Sequence, residues 1–97
     1  MADGVTEPNA PTECTVYVLR SEATGRYYIG SAAGADTRLR EHNAGKVRST
    51  KGYRPWLLIY QEQHLDRRTA ARRERLIKAK KSRRWIEQNL LRRSQGL

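Results

Sequence analysis

Five side chains of this sequence are suited to hydrolysis of a phosphodiester bond. They are two tyrosines, an arginine, a histidine and a glutamate: Tyr17, Tyr28, Arg38, His42 and Glu74. A glutamate can hold a divalent ion, and the ion and an arginine can neutralise charge on a phosphoryl transition state. A tyrosine oxygen can take a proton from the attacking water. No serine or cysteine arrangement competes as a nucleophile, so the sequence favours metal-assisted hydrolysis.

The two tyrosines belong to a predicted β-hairpin. Residues 14–20 (CTVYVLR) and residues 26–31 (RYYIGS) are rich in β-branched and aromatic residues, and a turn-forming interval separates them. A loop at residues 21–24 predicts an antiparallel pair of strands.

The hairpin loop determines which residues lie opposite each other. With that loop, Arg20 pairs with Gly25, and the same register sets Tyr17 directly opposite Tyr28. Cross-strand partners share a face of the sheet. We therefore expect both phenols on one face and Tyr27 on the other.

The arginine and the histidine belong to a predicted short helix. Asp36 is a suitable N-cap for a helix through residues 37–44, and Gly45 is the expected left-handed stop. Arg38 and His42 are four residues apart, so their side chains lie on one helical face.

The remaining elements complete an α/β (α+β) order. The unbroken apolar run within residues 56–63 (WLLIYQEQ) predicts a third strand in a central, covered position. Asp66 is the predicted N-cap of a second helix through about Lys80, and Ser82 caps a third helix or marks a bend. This order predicts a small α/β sandwich.

Glu74 lies on the apolar side of the second helix. At ~100° per residue, it falls inside the arc that Ala70 and Ile77 define. A carboxylate at such a position needs a paired cation or a metal ion. The same construction for the last helix predicts that Asn89, next to Trp85, also faces inward.

Charge favours nucleic acid as the partner. The formal net charge is +10 and the sequence pI is about 10.5, which suits a polyanion. Residues 46–55 form a basic loop facing the predicted cleft, and the later helices carry many arginines and lysines. The residues predicted to contact phosphates are Lys46, Arg48, Lys51, Arg54, Arg73 and Lys78.

Other features predict a soluble cytoplasmic protein with no membrane partner. Cys14 is the only cysteine, which excludes an intrachain disulfide and a zinc site built on cysteine pairs. No apolar run approaches the ~18 residues of a membrane span. We expect a disordered leader at residues 1–13, a nuclease domain at residues 14–92 and a flexible tail at residues 93–97.

These motifs resemble the GIY-YIG endonuclease superfamily, which includes the N-terminal domain of the excision-repair subunit UvrC and small stand-alone proteins. The GIY element corresponds to residues 15–17 (TVY), with threonine in place of the glycine, and residues 28–30 (YIG) match fully. Arg38 and His42 match the R-x-x-x-H helix, and Glu74 falls where the superfamily keeps its metal-binding glutamate. The basic loop most resembles the stand-alone UvrC-like branch.

The resemblance implies a three-stranded antiparallel sheet flanked by helices and one Mg²⁺ or Mn²⁺ ion held by Glu74. It implies that Tyr17 is the general base or a water-orienting phenol and that Tyr28 positions water and phosphate. Arg38 would stabilise the transferring phosphoryl group, with His42 in support. Further supporting residues are Gly30, Ser31 and Asn89.

The resulting prediction is a metal-dependent, structure-selective DNA endonuclease of repair or recombination, with RNA as an alternative substrate and a protein partner or dimer for targeting. Each residue also has an ordinary structural explanation: Tyr17 and Tyr28 as a cross-strand aromatic pair, Glu74 as the partner of a basic residue on its own helix. The alternatives are a non-catalytic basic nucleic-acid-binding protein and a scaffold or interaction protein.

Overall fold

The computed structural model describes residues 14–92, so the predicted leader (1–13) and tail (93–97) lie outside the described residues. Within residues 14–92 the strands are β1 (Cys14–Ser21), β2 (Tyr27–Ala32) and β3 (Trp56–His64). The helices are α1 (Ala35–Asn43), α2 (Arg67–Lys80) and α3 (Arg83–Ile86), with a 3-10 turn at Lys51–Tyr53 and a π-helical segment at Glu87–Leu91.

The strands form one antiparallel sheet in the order β2-β1-β3. The predicted three-stranded antiparallel sheet with flanking helices is therefore confirmed. The prediction that the third strand is central is wrong, because β1 occupies the middle and β3 forms an edge. β1 is the most covered strand, with seven of its eight residues buried.

A β-bulge in β3 explains its apolar run. Val18 pairs with Tyr60 while Leu19 pairs with Leu58, which leaves Ile59 as the extra residue. Leu58 packs on the α1 side of the sheet, whereas Ile59 and Tyr60 both pack on the side of α2 and α3. The run is apolar because it serves two cores, and central burial is not needed to explain it.

The hairpin register differs from the prediction by two residues. Gly25 has a φ of +78°, so it closes the loop and does not pair with Arg20. Tyr17 consequently lies opposite Gly30, and Leu19 lies opposite Tyr28. Because a shift of two residues preserves the face, both tyrosines still face α1, as predicted.

The sheet separates two hydrophobic cores, and alternate residues of β1 supply each of them. The α1 side contains Tyr17, Leu19, Ala35 and Trp56. The side of α2 and α3 contains Cys14, Val16, Val18, Ala70, Ile77, Ile86 and Leu90. Tyr27 packs on this second side, which confirms its predicted orientation.

Helix α1 begins two residues earlier than predicted. Its N-cap is Gly34, without a side-chain cap, and Asp36 lies within the first turn. The prediction that Asp36 is the cap is therefore wrong, although a carboxylate there still stabilises the positive end of the helix dipole. The predicted stop at Gly45 is confirmed, because its φ is +80° and its N–H donates to the carbonyl of His42.

The predicted caps of the later helices are confirmed. The Asp66 carboxylate accepts from the Thr69 backbone N–H at 2.8 Å, and the Ser82 hydroxyl accepts from the Trp85 N–H at 3.0 Å. Helix α2 ends at Lys80, as expected. In the part of the chain that the structure describes, no helix is both long and apolar enough to cross a membrane.

Candidate active site

Tyr17 lies directly over the backbone of the edge strand β2. A Cβ atom at Gly30 would be 2.6 Å from the Tyr17 hydroxyl oxygen and 2.8 Å from Cζ, closer than Cβ atoms approach in proteins. The Tyr17 side chain is buried, with 1% of its surface exposed. Glycine at position 30 is therefore required for close approach of the phenol across the strand.

A second phenol and an imidazole pack around Tyr17. The ring centroids of Tyr17 and Tyr28 are 6.3 Å apart, and those of Tyr28 and His42 are 4.8 Å apart in an edge-on arrangement. Tyr28 is half-buried, whereas His42 is fully buried. The structure thus brings together three of the five predicted residues on the α1 side of the sheet.

A buried chain of hydrogen bonds fixes the protonation of His42. The Thr50 hydroxyl donates to the Val47 carbonyl at 3.2 Å, so it accepts from Nδ1–H of His42 at 2.8 Å. The other ring nitrogen, Nε2, then carries no proton and accepts from the Tyr17 hydroxyl at 3.2 Å. Burial, followed by the positive charge of Arg38, holds the pKa of His42 below its usual value.

The Tyr17 hydroxyl holds its proton strongly. Burial, and then the neighbouring Tyr28, raises the pKa of Tyr17 to about 12, while the nearby guanidinium of Arg38 opposes the rise. The phenol is therefore protonated at neutral pH and donates its hydrogen bond to His42. If Tyr17 acts as general base, its phenolic proton must leave while the hydroxyl oxygen accepts a proton from the attacking water.

Arg38 stands at the solvent side of this group. Its guanidinium pairs with the Glu41 carboxylate at 2.6 Å, one turn along α1, and both side chains are partly exposed. The Glu41 carboxylate raises the pKa of Arg38, and the Tyr17 hydroxyl adds to this effect. The arginine is held charged beside the phenol.

Glu74 approaches β2 from the opposite face of the sheet. Its Oε1 accepts from the Ser31 hydroxyl at 2.6 Å, and its Oε2 pairs with the Lys78 ammonium at 2.7 Å. Ser31 directly follows Gly30, over which Tyr17 lies. The candidate site therefore surrounds one edge strand, and the Glu74 charge contributes to raising the pKa of Tyr17.

The position of Glu74 agrees with the helical-wheel prediction. Ala70 and Ile77 are buried on the same helix, and the Glu74 side chain is only 20% exposed. Glu74 pairs with Lys78 at i+4, and a basic partner on its own helix is what the ordinary structural explanation of Glu74 predicted. That lysine is 50% exposed, so it can swing into solvent.

The Glu74 carboxylate suits a hydrated divalent ion. Mg²⁺ usually keeps several waters and binds proteins through one or two carboxylates together with substrate phosphates. Among residues 14–92 there is no cluster of three or more His, Cys, Asp or Glu side chains that could enclose a metal. Glu74 is a single carboxylate beside the edge strand β2, so it suits an ion that keeps its waters and is also held by substrate phosphates. Binding of the ion requires that Lys78 move aside.

The prediction that Asn89 faces inward is wrong. Its side chain is exposed, and its amide donates to the Trp85 carbonyl at 2.9 Å. The buried residues of this region are Ile86 and Leu90, so the buried arc is centred away from Asn89. The π-helical segment is also wider than the ~100° construction assumes.

Apart from Lys78, which pairs with Glu74, the predicted phosphate-binding residues divide into two groups. The loop side chains Lys46, Arg48, Lys51 and Arg54 are all exposed. Arg73, by contrast, donates to the Glu62 carboxylate at 2.9 and 3.4 Å and is 31% exposed. Arg73 therefore joins α2 to β3.

Thr50 is the site residue that the sequence reasoning missed. It lies inside the basic loop with 2% of its surface exposed, and its carbonyl accepts from the Trp56 indole at 3.0 Å. Asn43 secures the same region by bonding both the N–H and the carbonyl of Trp56. No periodicity in the sequence signals such a position.

A family model described as the GIY-YIG catalytic domain matches residues 13–89. The match spans most of the chain, and the chain therefore belongs to the GIY-YIG family, whose domains are typically nucleases. The predicted superfamily is confirmed.

Two relatives are small stand-alone members of this family. The UPF0213 protein SH2523 of Staphylococcus haemolyticus (strain JCSC1435) is 38% identical over 64 residues, which are 65% of this chain and 77% of that protein. The solution NMR structure of the UPF0213 protein BH0048 from Bacillus halodurans is 31% identical. That similarity covers 78% of this chain and 80% of the other, with a TM-score of 0.50.

Proposed function

We propose that this protein is a divalent-metal-dependent endonuclease that hydrolyses phosphodiester bonds in DNA and selects its substrate by structure. The observation that carries the proposal is the placement of the Tyr17 hydroxyl over Gly30. The Tyr17 hydroxyl contacts Nε2 of His42, and Ser31, the residue after Gly30, donates a hydrogen bond to the Glu74 carboxylate. In the described part of the chain, residues 14–92, no helix or finger for reading a base sequence is recognisable.

In this proposal Glu74 holds Mg²⁺ or Mn²⁺ at the open edge of β2. When bound, the ion supplies Lewis-acid stabilisation of charge on the phosphoryl oxygens. Ser31 keeps the carboxylate oriented through its hydrogen bond at 2.6 Å. Lys78, released from Glu74, becomes available to the substrate backbone.

The proposed proton path runs through Tyr17 to His42. As the water attacks phosphorus, its proton passes to the Tyr17 oxygen while the phenolic proton passes to Nε2 of His42. The pKa of Tyr17 near 12 makes the free phenolate rare at neutral pH, so this concerted exchange explains how a protonated phenol acts as a base. Thr50 holds the imidazole in the accepting tautomer.

The remaining charges act on the substrate. Arg38, beside the phenol, stabilises the equatorial oxygens of the transition state, and Tyr28 positions the water and the phosphate. The exposed cations of the basic loop contact phosphates further along the strand. The leaving oxygen departs opposite the attacking water.

The test is nicking of supercoiled plasmid with Mg²⁺, Mn²⁺ or chelator. Wild-type protein should nick only with metal, and Tyr17→Phe and Glu74→Gln should abolish nicking while DNA affinity stays within a few-fold. Glu22→Gln, at an exposed hairpin-loop position, is the matched control for loss of a carboxylate. Parallel loss of DNA binding in Tyr17→Phe and Glu74→Gln would contradict the assigned roles.

The rival function, nucleic-acid binding without turnover, gives a different result. It predicts salt-dependent binding that is indifferent to Glu74→Gln, and no metal-dependent nicking of plasmid, branched or single-stranded DNA.

A further inference from the structure

A cavity lies beside the edge strand β2, mainly on the side of α2 and α3. It has a volume of about 570 Å³, within the ~300–1,000 Å³ typical of small-ligand sites. Its floor is apolar and includes Ile29 from β2, Ile77 from α2 and Ile86 from α3. None of the proposed catalytic roles uses this space.

The rim of the cavity is cationic. It includes Arg26, Lys78, Lys81 and Arg83, which come from the hairpin loop and the junction of α2 and α3. Within residues 14–92, neither Arg26 nor Lys81 pairs with a carboxylate. Unpaired cations above an apolar floor suit a ligand that is flat and apolar on one part and anionic on another.

Two guanidinium groups at the rim already stack on aromatic rings. The Arg26 guanidinium lies 4.6 Å from the centroid of Tyr53, and the Arg83 guanidinium lies 5.0 Å from the centroid of Tyr27. Both rings also line the cavity. Aromatic rings and guanidinium planes are the surfaces on which unpaired nucleobases stack.

The cavity adjoins the candidate active site through Lys78 and Ile29. Lys78 belongs to its rim and also pairs with Glu74 at 2.7 Å. Ile29, in its floor, directly precedes Gly30. A nucleic-acid strand that presents a phosphate at Glu74 therefore places a neighbouring nucleotide within reach of the cavity.

We propose that this cavity binds the base of an unpaired nucleotide next to the scissile phosphate. This inference rests on the proposed function and specifies its substrate as DNA with an unpaired nucleotide at the cut. A base inside an intact duplex is stacked and paired, and extracting it costs a few kcal/mol, so a bulged or single-stranded nucleotide enters more readily. Lys78 and Lys81 then contact the flanking phosphates.

The test compares two DNA duplexes with the same number of phosphates. One contains a single bulged nucleotide, and the other contains a tetrahydrofuran abasic residue at the bulge. Binding of fluorescein-labelled duplex to the wild-type protein is followed by anisotropy with chelator present, so that no cleavage occurs. We expect at least about fivefold tighter binding of the bulge that retains its base, the lower range for one stacked base.

Paired variants connect this preference to the cavity. Arg26→Ser/Arg83→Ser removes the two guanidinium groups that offer a stacking surface at the cavity, and it should bring the ratio of the two affinities close to one. Arg68→Ser/Arg75→Ser removes the same charge from exposed positions of α2 and should keep the ratio of the wild type. Equal affinities in the wild type, absence of DNA binding, or an equal loss of preference in both double variants would overturn the proposal.

This experiment separates the inference from the proposed function. A preference for the base in a protein that does not nick DNA would support the cavity and reject the nuclease. Metal-dependent nicking without any base preference would support the nuclease and reject the cavity.

Discussion

Replacing Gly30 by alanine tests whether catalysis requires Tyr17 to lie against the backbone of β2. The added Cβ would be 2.6 Å from the Tyr17 hydroxyl oxygen, whereas ordinary contact begins at 3.4 Å. The oxygen must therefore retreat by about 0.8 Å, the difference between these distances. The same Cβ would be 3.1 Å from Cε2 of Tyr28, so the second phenol offers little space.

Movement of Tyr17 has consequences for stability and for rate. Its ring is buried, and its hydroxyl is held at 3.2 Å from Nε2 of His42. Forcing extra volume into a packed core typically lowers the free energy of unfolding by ~1–3 kcal/mol. A displacement of about 1 Å at a reacting group can lower the rate ~100-fold. We expect Gly30→Ala to fold with a melting temperature lower by roughly 4–8 °C per kcal/mol lost, and to nick DNA at least about tenfold more slowly.

Gly52→Ala is the matched control, because a Cβ there meets nothing within 4 Å. Thermal denaturation by circular dichroism and plasmid nicking are measured for both variants. Wild-type stability and wild-type nicking in Gly30→Ala would refute the argument that the phenol needs the space of the missing Cβ. A drop in both variants would show that alanine acts on the backbone generally.

Three other perturbations test the remaining contacts. Thr50→Val leaves Nδ1–H of His42 buried without an acceptor, so the free energy of unfolding from thermal denaturation should fall by ~1–3 kcal/mol, and nicking should slow. Unchanged stability and nicking would remove Thr50 from the site. Because the pKa of His42 is lowered in the folded state, the unfolded chain binds more protons than the folded chain below pH ~6.5. The free energy of unfolding should therefore decrease as the pH falls through this range. The same pH dependence in a His42→Gln variant would contradict this. Lys51→Ala should reduce the salt slope of DNA binding by about one. Arg73→Ala loses its contact with Glu62, so it should lower stability without changing that slope. A reduced slope in Arg73→Ala and an unchanged slope in Lys51→Ala would place Arg73, and not Lys51, at the DNA.

Several local signals in the sequence predicted local features correctly, although Asp36 does not cap α1. Asp66 and Ser82 cap helices as expected, and Gly45 ends α1 in the left-handed conformation. These features depend on a few neighbouring residues and on backbone sterics. The hairpin register failed because two positions were available for Gly25, in the strand or in the loop, and its positive φ fixes it in the loop.

Features that depend on tertiary structure were harder to predict. The apolar run of β3 was interpreted as one buried strand, but the bulge at Ile59 divides it between two cores. Asn89 was placed inward from an ideal helix, and the π-helical segment there changes the geometry. Thr50 bonds His42 across eight residues of chain, a contact that neither composition nor periodicity encodes.

For the metal ion of the proposed function, the contacts of Glu74 are better suited than those of Glu62. Both side chains are 20% exposed at the junction of the sheet with α2. Glu62 interacts with Tyr60, His64 and Arg73, and its pKa is lowered despite burial because these hydrogen bonds favour the charged form. Its oxygens are committed to joining β3 to α2. Among residues 14–92, Glu74 has only a serine hydroxyl and a half-exposed lysine as partners, and that lysine can leave for solvent or phosphate. The two carboxylates are thus equally buried, but Glu62 stabilises the β3 side of the sheet, whereas the Glu74 oxygens beside β2 can exchange partners.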